Sequence, residues 1–131
     1  DSFSAFVPNS EGFQNSDGKK AFCYTDDFDE VKNYFSKYKN INIVKVILPK
    51  AIDKLPKNNK ISFLHLDLNS ANAEEETLIR LKPFINKETI ILFDDYGGFG
   101  GEDQARVHEK YAKSNGNELL VLPTGQALII N

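Results

Sequence analysis

The stretch Thr89-Ile-Ile-Leu-Phe93, followed directly by Asp94-Asp95-Tyr96-Gly97-Gly98, decides the fold of this chain. Its apolar, β-rich part predicts a strand that is buried on both faces, as in a parallel sheet. The two adjacent carboxylates then lie at the carboxyl end of that strand, where open α/β sheets bind their ligands. Because neighbouring carboxylates repel each other, we expect the pair to bind a cation or to share a proton.

A second strand ends in the same way. The run from residue 61 to residue 66 is rich in apolar residues, and Asp67 follows it. The two strands would deliver three acids, Asp67, Asp94 and Asp95, to one edge of a sheet. Carboxylates without thiolate or histidine companions favour hard cations such as Mg²⁺, Mn²⁺ or Ca²⁺. Such an ion could hold two oxygens of a substrate and favour loss of a proton from one of them.

Other interpretations of these polar residues stay open. One aspartate could cap the following helix while another faces water. His65 lies between two leucines, and we interpret it as a core or crevice histidine rather than as a base. His108 lies among charged residues in a predicted helix, so we expect it to face solvent. The glycines after the acid pair could let backbone approach a ligand or could form a flexible lid.

Helical and strand patterns alternate along the chain. Such alternation predicts parallel pairing with right-handed crossovers, and a closing hairpin adds an antiparallel strand. The sequence therefore predicts a single α/β domain over residues 1–131. The predicted helices are 28–38, 72–85 and 103–114, and the predicted strands are 41–48, 61–66, 89–93, 119–122 and 127–130.

The ends of the predicted helices carry recognisable signals. Asp27 with Glu30 forms the pattern of a capping box, and Asn72 with Glu75 repeats the same spacing. Gly116 is placed to end the third helix, because glycine is the preferred residue just after a helix C-terminus.

Composition limits the classes of partner. A formal net charge of −3 provides no basic face for nucleic acid, and no apolar stretch approaches the length of a membrane span. The single cysteine, Cys23, cannot form an intrachain disulfide or a cysteine metal cluster. We therefore expect a cytoplasmic protein without nucleic-acid or membrane partners. The chain begins at Asp1 and contains no methionine, so we expect it to be a segment of a longer protein.

Three motifs carry a resemblance to a known family. They are Leu64-His-Leu-Asp67, Leu92-Phe-Asp-Asp-Tyr-Gly97 and Leu122-Pro-Thr-Gly-Gln126. Together they resemble the macrocin O-methyltransferase (TylF-type) family of class I S-adenosylmethionine-dependent methyltransferases. The opening Asp1-Ser-Phe-Ser-Ala-Phe6 is similar to that family's acidic-Ser/Thr-Phe stretch, and the similarity runs over nearly the whole chain.

The resemblance implies a function. It implies Mg²⁺-assisted methyl transfer from S-adenosylmethionine to the hydroxyl of a small molecule, with Asp67, Asp94 and Asp95 as the magnesium ligands. Asp1 would accept hydrogen bonds from the cofactor's ribose hydroxyls, a role that suits a carboxylate. Catalysis would then depend on positioning the acceptor and stabilising its developing oxyanion. No residue is assigned as the general base.

Two departures from the family pattern matter. Many relatives carry a second acid and an aromatic residue where this chain has Asn69-Ser70-Ala71, which leaves the acceptor open. The family's first strand and glycine-rich cofactor loop would lie before Asp1. We therefore expect a partial Rossmann-like methyltransferase sheet, the C-terminal segment of a longer domain. Its apolar strand edge would be exposed, so we expect a homodimer through that edge or a local reorganisation.

Two other classes of protein remain as alternatives. A phosphoacceptor receiver module also combines three aspartates with magnesium in an α/β sheet, although its acid pair comes on an earlier strand than its single acid. A non-catalytic α/β binding domain would keep the fold without turnover. Labelling by acetyl phosphate would identify the first of these, and the absence of any methyl transfer would favour the second.

Overall fold

A mixed four-stranded sheet forms the centre of the part of the chain that the computed structural model describes, residues 27–98 and 101–131. The strand order is β1-β2-β4-β3. β1 is parallel to β2, whereas β4 runs antiparallel to both β2 and β3. This confirms the predicted α/β fold with its C-terminal antiparallel hairpin. The strands are β1 (Phe63–Leu66), β2 (Ile90–Phe93), β3 (Leu120–Val121) and β4 (Ala127–Ile130).

The helices within the described residues follow the predicted alternation with the strands. They are α1 (Phe28–Phe35), α2 (Ala71–Leu81) and α3 (Glu102–Asn115), with short 3₁₀ turns at Lys50–Lys54 and Lys82–Phe84. Because α2 connects the parallel strands β1 and β2, these three elements form a β-α-β unit. None of the helices in these ranges combines the length and the apolar character that a membrane crossing requires.

The core lies between the sheet and the helices α2 and α3. Ile91 and Phe93 of β2 are fully buried there, against Leu78 of α2 and Ala112 of α3. Alternate residues of β2 are only partly buried, so the opposite face of this strand is less well covered than its sequence predicts. The apolar strand β2 therefore lies in the centre of the described sheet, as expected, but one of its faces is better packed than the other.

Residues 41–48 do not form the predicted strand. The segment has no regular secondary structure, and Val44 and Ile47 are 49% and 57% exposed. β-branched residues favour a strand only where a neighbouring strand supplies hydrogen bonds and packing. No strand of the described residues lies beside this segment, so its local propensity is not realised.

The helix ends differ from the predictions in detail. α1 ends at Phe35, and the side chain of Asp27 makes no capping hydrogen bond, so the predicted capping box does not form. α2 is capped by Ser70, whose Oγ accepts from the amide of Ala73, and not by Asn72. Gly116 ends α3 as predicted, with a φ of 72° that favours glycine over other residues.

Candidate functional site

The sheet brings the predicted acids to one edge. Leu66 is the partner of Phe93 in the parallel register, so Asp67 and Asp94 leave adjacent strands at the same level. The amide of Asp94 donates to the carbonyl of Leu66 over 3.0 Å, which continues the ladder to the end of both strands. Asp95 follows directly. We call Asp67, Asp94 and Asp95 the acid edge.

Asp94 is the best-satisfied member of the acid edge. Gln126, in the turn of the β3–β4 hairpin, donates from Nε2 to Asp94 Oδ1 over 2.6 Å, and His65 Nε2 lies 3.1 Å from the same oxygen. These hydrogen bonds, the Gln126 contact first, hold the pKa of Asp94 below the ordinary 3.8 of aspartate. Asp94 is therefore a stable carboxylate. His65 is partly exposed beside it, not enclosed in the core.

The other two acids are in less favourable surroundings. Partial burial, followed by the negative charge of Asp94, raises the pKa of Asp67, although much of the residue is exposed to solvent. Burial, followed by the charge of Asp67, raises the pKa of Asp95. Asp67 also accepts a hydrogen bond from Asn69 Nδ2 over 3.1 Å. The parallel register of β1 and β2 is what brings Asp67 to the same edge of the sheet as Asp94 and Asp95.

Asp95 has an unsatisfied oxygen. Its Oδ2 is buried and has no hydrogen-bond partner among the described residues. Buried carboxylate oxygens are rarely left without a partner, because desolvating one without compensation costs free energy. An oxygen in this state is suited to accept a cation or a hydrogen-bond donor from a ligand.

Gly101 packs against the backbone of the acid pair. Gly101 lies so close to Asp95 that a Cβ at residue 101 would stand 2.5 Å from the Asp95 carbonyl oxygen. The amide of Gly101 also donates to the carbonyl of Gly98 over 3.0 Å, which closes the corner. Gly101 thus makes its close approach to the backbone of the acid pair, and the approach of this glycine cluster to a ligand stays a prediction.

Two residues behind the acid edge, Glu74 and His108, are buried although the sequence did not predict their burial. His108 is fully buried, so the prediction that it faces solvent is wrong; its Nε2 lies 2.6 Å from Glu74 Oε2. Glu74 is also buried. His108 lies one turn before Ala112 on the face of α3 that packs into the core, because residues four apart share a helix face. That spacing was the available signal, and the charged sequence neighbours obscured it.

The acid edge fits a hard cation by its chemistry. Its donors are all carboxylate oxygens, and Asp95 Oδ2 is free to accept. Within residues 27–98 and 101–131, no group of three or more His, Cys, Asp or Glu side chains is already arranged to hold a metal ion. Mg²⁺ commonly binds through only one or two carboxylates, with waters and substrate completing its shell. The three-aspartate ligand set therefore stays a prediction.

Asp1, the predicted partner of the cofactor ribose, lies outside the described residues. Its role therefore also stays a prediction. The residues that the structure does bring to the acid edge, beyond the three predicted ones, are His65 and Gln126. Gln126 belongs to the Pro-Thr-Gly-Gln motif that contributed to the family resemblance.

Comparison with known proteins finds a solved structure with a similar fold. No family model matches the chain, and no curated protein does so either. Among solved structures, the chain is similar to apo CalS11, a TDP-rhamnose 3'-O-methyltransferase of calicheamicin biosynthesis, with a TM-score of 0.55 and 18% identity. The match covers 80% of this chain and 47% of that one. The chain thus shares the fold of an O-methyltransferase and spans about half the length of that relative.

Proposed function

We propose that this chain is part of an S-adenosylmethionine-dependent, Mg²⁺-assisted O-methyltransferase that acts on the hydroxyl of a small molecule. One observation carries the proposal: a sheet with the fold of an O-methyltransferase has three carboxylates at the carboxyl ends of two parallel strands. That edge is where open α/β sheets bind ligands. TylF-type family membership is part of the proposal and rests on the sequence motifs.

Asp67, Asp94 and Asp95 would hold the magnesium ion. When bound, Mg²⁺ would polarise an acceptor hydroxyl and stabilise negative charge on its oxygen. Gln126 and His65 keep Asp94 ionised and fix its orientation. Asp95 contributes its unpartnered Oδ2. Cation binding at the acid edge would also relieve the repulsion between Asp67 and Asp95.

The cofactor is proposed on two grounds. Methyl transfer needs a methyl donor, and the resemblance assigns S-adenosylmethionine, with Asp1 accepting hydrogen bonds from both ribose hydroxyls. For the acceptor, the structural relative is a TDP-rhamnose 3'-O-methyltransferase. A sugar hydroxyl is therefore the first acceptor class to test, with a catechol as the second.

The test is a transfer assay with S-adenosylmethionine that carries a tritiated methyl group. A longer protein that contains this chain and the cofactor loop expected before Asp1 is incubated with TDP-rhamnose or with a catechol, in Mg²⁺ or in EDTA. We expect Mg²⁺-dependent labelling of one acceptor, and at least a tenfold loss in Asp94→Asn. The control is Asp29→Asn, which makes the same change at an exposed site on α1.

Two outcomes would contradict the proposal. Labelling that persists at the same rate in EDTA would remove the acid edge from the chemistry. A longer protein of that kind that binds neither Mg²⁺ nor S-adenosylhomocysteine in calorimetry would remove the methyltransferase assignment. The receiver-like alternative is less well supported, because receiver sheets have a parallel 2-1-3-4-5 order, whereas here the antiparallel β4 lies next to β2.

A further inference from the structure

A buried pair of ionisable residues lies behind the acid edge and has no part in the proposed chemistry. Glu74 of α2 is 1% exposed and His108 of α3 is 0% exposed, and their side chains meet at 2.6 Å. Burying two ionisable groups is costly, and an apolar pair of similar size is often at least as stable. The pair therefore calls for an explanation other than stability.

Each member of the pair contacts a residue next to the acids in the sequence, Glu74 in the turn after β1 and His108 at the last residue of β2. Glu74 Oε1 accepts from the amide of Leu68, the residue directly after Asp67, over 3.3 Å. The ring of His108 stacks on Phe93, the residue directly before Asp94, with 4.0 Å between centroids and 19° between planes. The turn after β1 and the end of β2 are thus connected through the hydrogen-bonded pair Glu74–His108.

The ring of His108 also lies near Tyr96, in the turn that follows Asp94 and Asp95. Its ring is nearly parallel to that of Tyr96, with 6.3 Å between centroids, so it contacts residues on both sides of the acid pair. An ionised Glu74 can only accept a hydrogen bond, and His108 Nε2 is then the donor. His108 Nδ1 is left buried without a partner among the described residues, as is Asp95 Oδ2.

We propose that Glu74 and His108 are positioning residues, which hold the turn after β1 and the turn after β2 in the relative placement that the acid edge needs to bind a divalent cation. The inference rests on the proposed function. Neither residue touches the cation or the acceptor; both act through Leu68 and Phe93. Partners of this kind, one step behind the ligands of a metal, change affinity by about 10- to 100-fold when they are removed.

Two single variants separate positioning from packing. His108→Phe keeps an aromatic ring against Phe93 but removes the donor to Glu74. His108→Gln keeps a donor and loses the ring. In the absence of metal, we expect the amide of Leu68 to exchange with solvent at least tenfold faster in His108→Phe and to recover towards the wild-type rate in His108→Gln. The amide of Asp94, which donates to the carbonyl of Leu66, should exchange at the wild-type rate in His108→Phe, which keeps a ring on Phe93.

A double variant guards against loss of the fold. Glu74→Leu combined with His108→Phe leaves no lone buried charge, so we expect it to fold with a melting temperature close to that of the wild type. Its dissociation constant for Mg²⁺, measured by calorimetry, should nevertheless rise at least tenfold. A role in packing alone would leave that constant unchanged.

The outcomes distinguish this inference from the proposed function. Wild-type Mg²⁺ affinity in the double variant, or wild-type exchange of Leu68 in His108→Phe, would overturn the positioning role while the wild-type chain still binds Mg²⁺. A wild-type chain that binds no Mg²⁺ at all would instead overturn the proposed function.

Discussion

At the residue scale, the three carboxylates of the acid edge differ in how well the fold satisfies them. Asp94 has two side-chain partners, Gln126 and His65, and its pKa is lowered. Asp95 has a buried oxygen with no partner among the described residues, and its pKa is raised. A charge in such surroundings destabilises the folded chain until something neutralises it. The contact with Asp95 would therefore contribute most to the binding free energy of a cation.

We predict that Asp95→Asn stabilises the chain when divalent cations are absent. The raised pKa of Asp95 means that folding disfavours its ionised form, so above the ordinary pKa of 3.8 the charge costs stability. Removing that charge should therefore raise the free energy of unfolding at neutral pH. Urea unfolding in EDTA measures this, with Glu88→Gln, which removes an exposed carboxylate outside the helices, as the control. A less stable Asp95→Asn chain would show that the carboxylate is satisfied after all.

Asp94 should behave in the opposite way. Its depressed pKa means that its carboxylate stabilises the folded chain above 3.8, and that this contribution is lost as the pH falls through the lower, folded value. Gln126→Leu removes the largest cause of the depression. We expect the titration midpoint of the Asp94 carboxyl carbon, followed by NMR, to move upward in that variant. It should stay in place in Glu118→Gln, an exposed change just before the same hairpin. An unmoved midpoint in Gln126→Leu would contradict the assigned contact.

At the element scale, strands were predicted correctly where their pairing strands lie within the described residues. β2 and β4 pair with each other, and both were predicted from their apolar patterns. The segment 41–48 has a similar pattern but no neighbouring strand in the described ranges, so pattern alone was not enough. The acids were predictable because strand ends fix where they lie. Glu74 and His108 were not, because a charged residue on a helix usually faces water.

The corner that leads into α3 gives a prediction about this element. Gly101→Ala would place its Cβ 2.5 Å from the carbonyl oxygen of Asp95, so the backbone of the acid pair must move. We expect a loss of about 1–3 kcal/mol in the free energy of unfolding, as for other overpacked sites. Gly98→Ala is the matched control, since nothing lies within 4 Å of its added methyl group. Equal stability of the two variants in urea would contradict the close packing of this corner.

At the scale of the whole molecule, β1 lies at one end of the described sheet. Within residues 27–98 and 101–131 its one strand partner is β2, and Phe63 on it is 58% exposed. Unpaired apolar strand edges tend to pair with another chain. The sequence predicted this edge from the family strand order, but no pattern within β1 could reveal what covers it, because that depends on another segment or another molecule.

We therefore expect the 131-residue chain to self-associate through β1. Sedimentation velocity should show a concentration-dependent dimer for the wild type and a monomer for Phe63→Lys, because a charged side chain on an edge strand opposes pairing. Ile79→Lys, which changes an exposed apolar residue of α2, is the control and should leave the dimer intact. A wild-type chain that stays monomeric at all concentrations would contradict the expectation.

The most direct test of the account is a titration of the isotopically labelled chain with Mn²⁺, a paramagnetic substitute for Mg²⁺, followed by amide NMR. If the acid edge binds a divalent cation, the signals of Asp67, Asp94 and Asp95 should broaden first, and excess Mg²⁺ should restore them. Broadening that begins instead at Glu75 and Asp103, acids that line the groove between α2 and α3, would contradict it. So would a chain whose signals do not change.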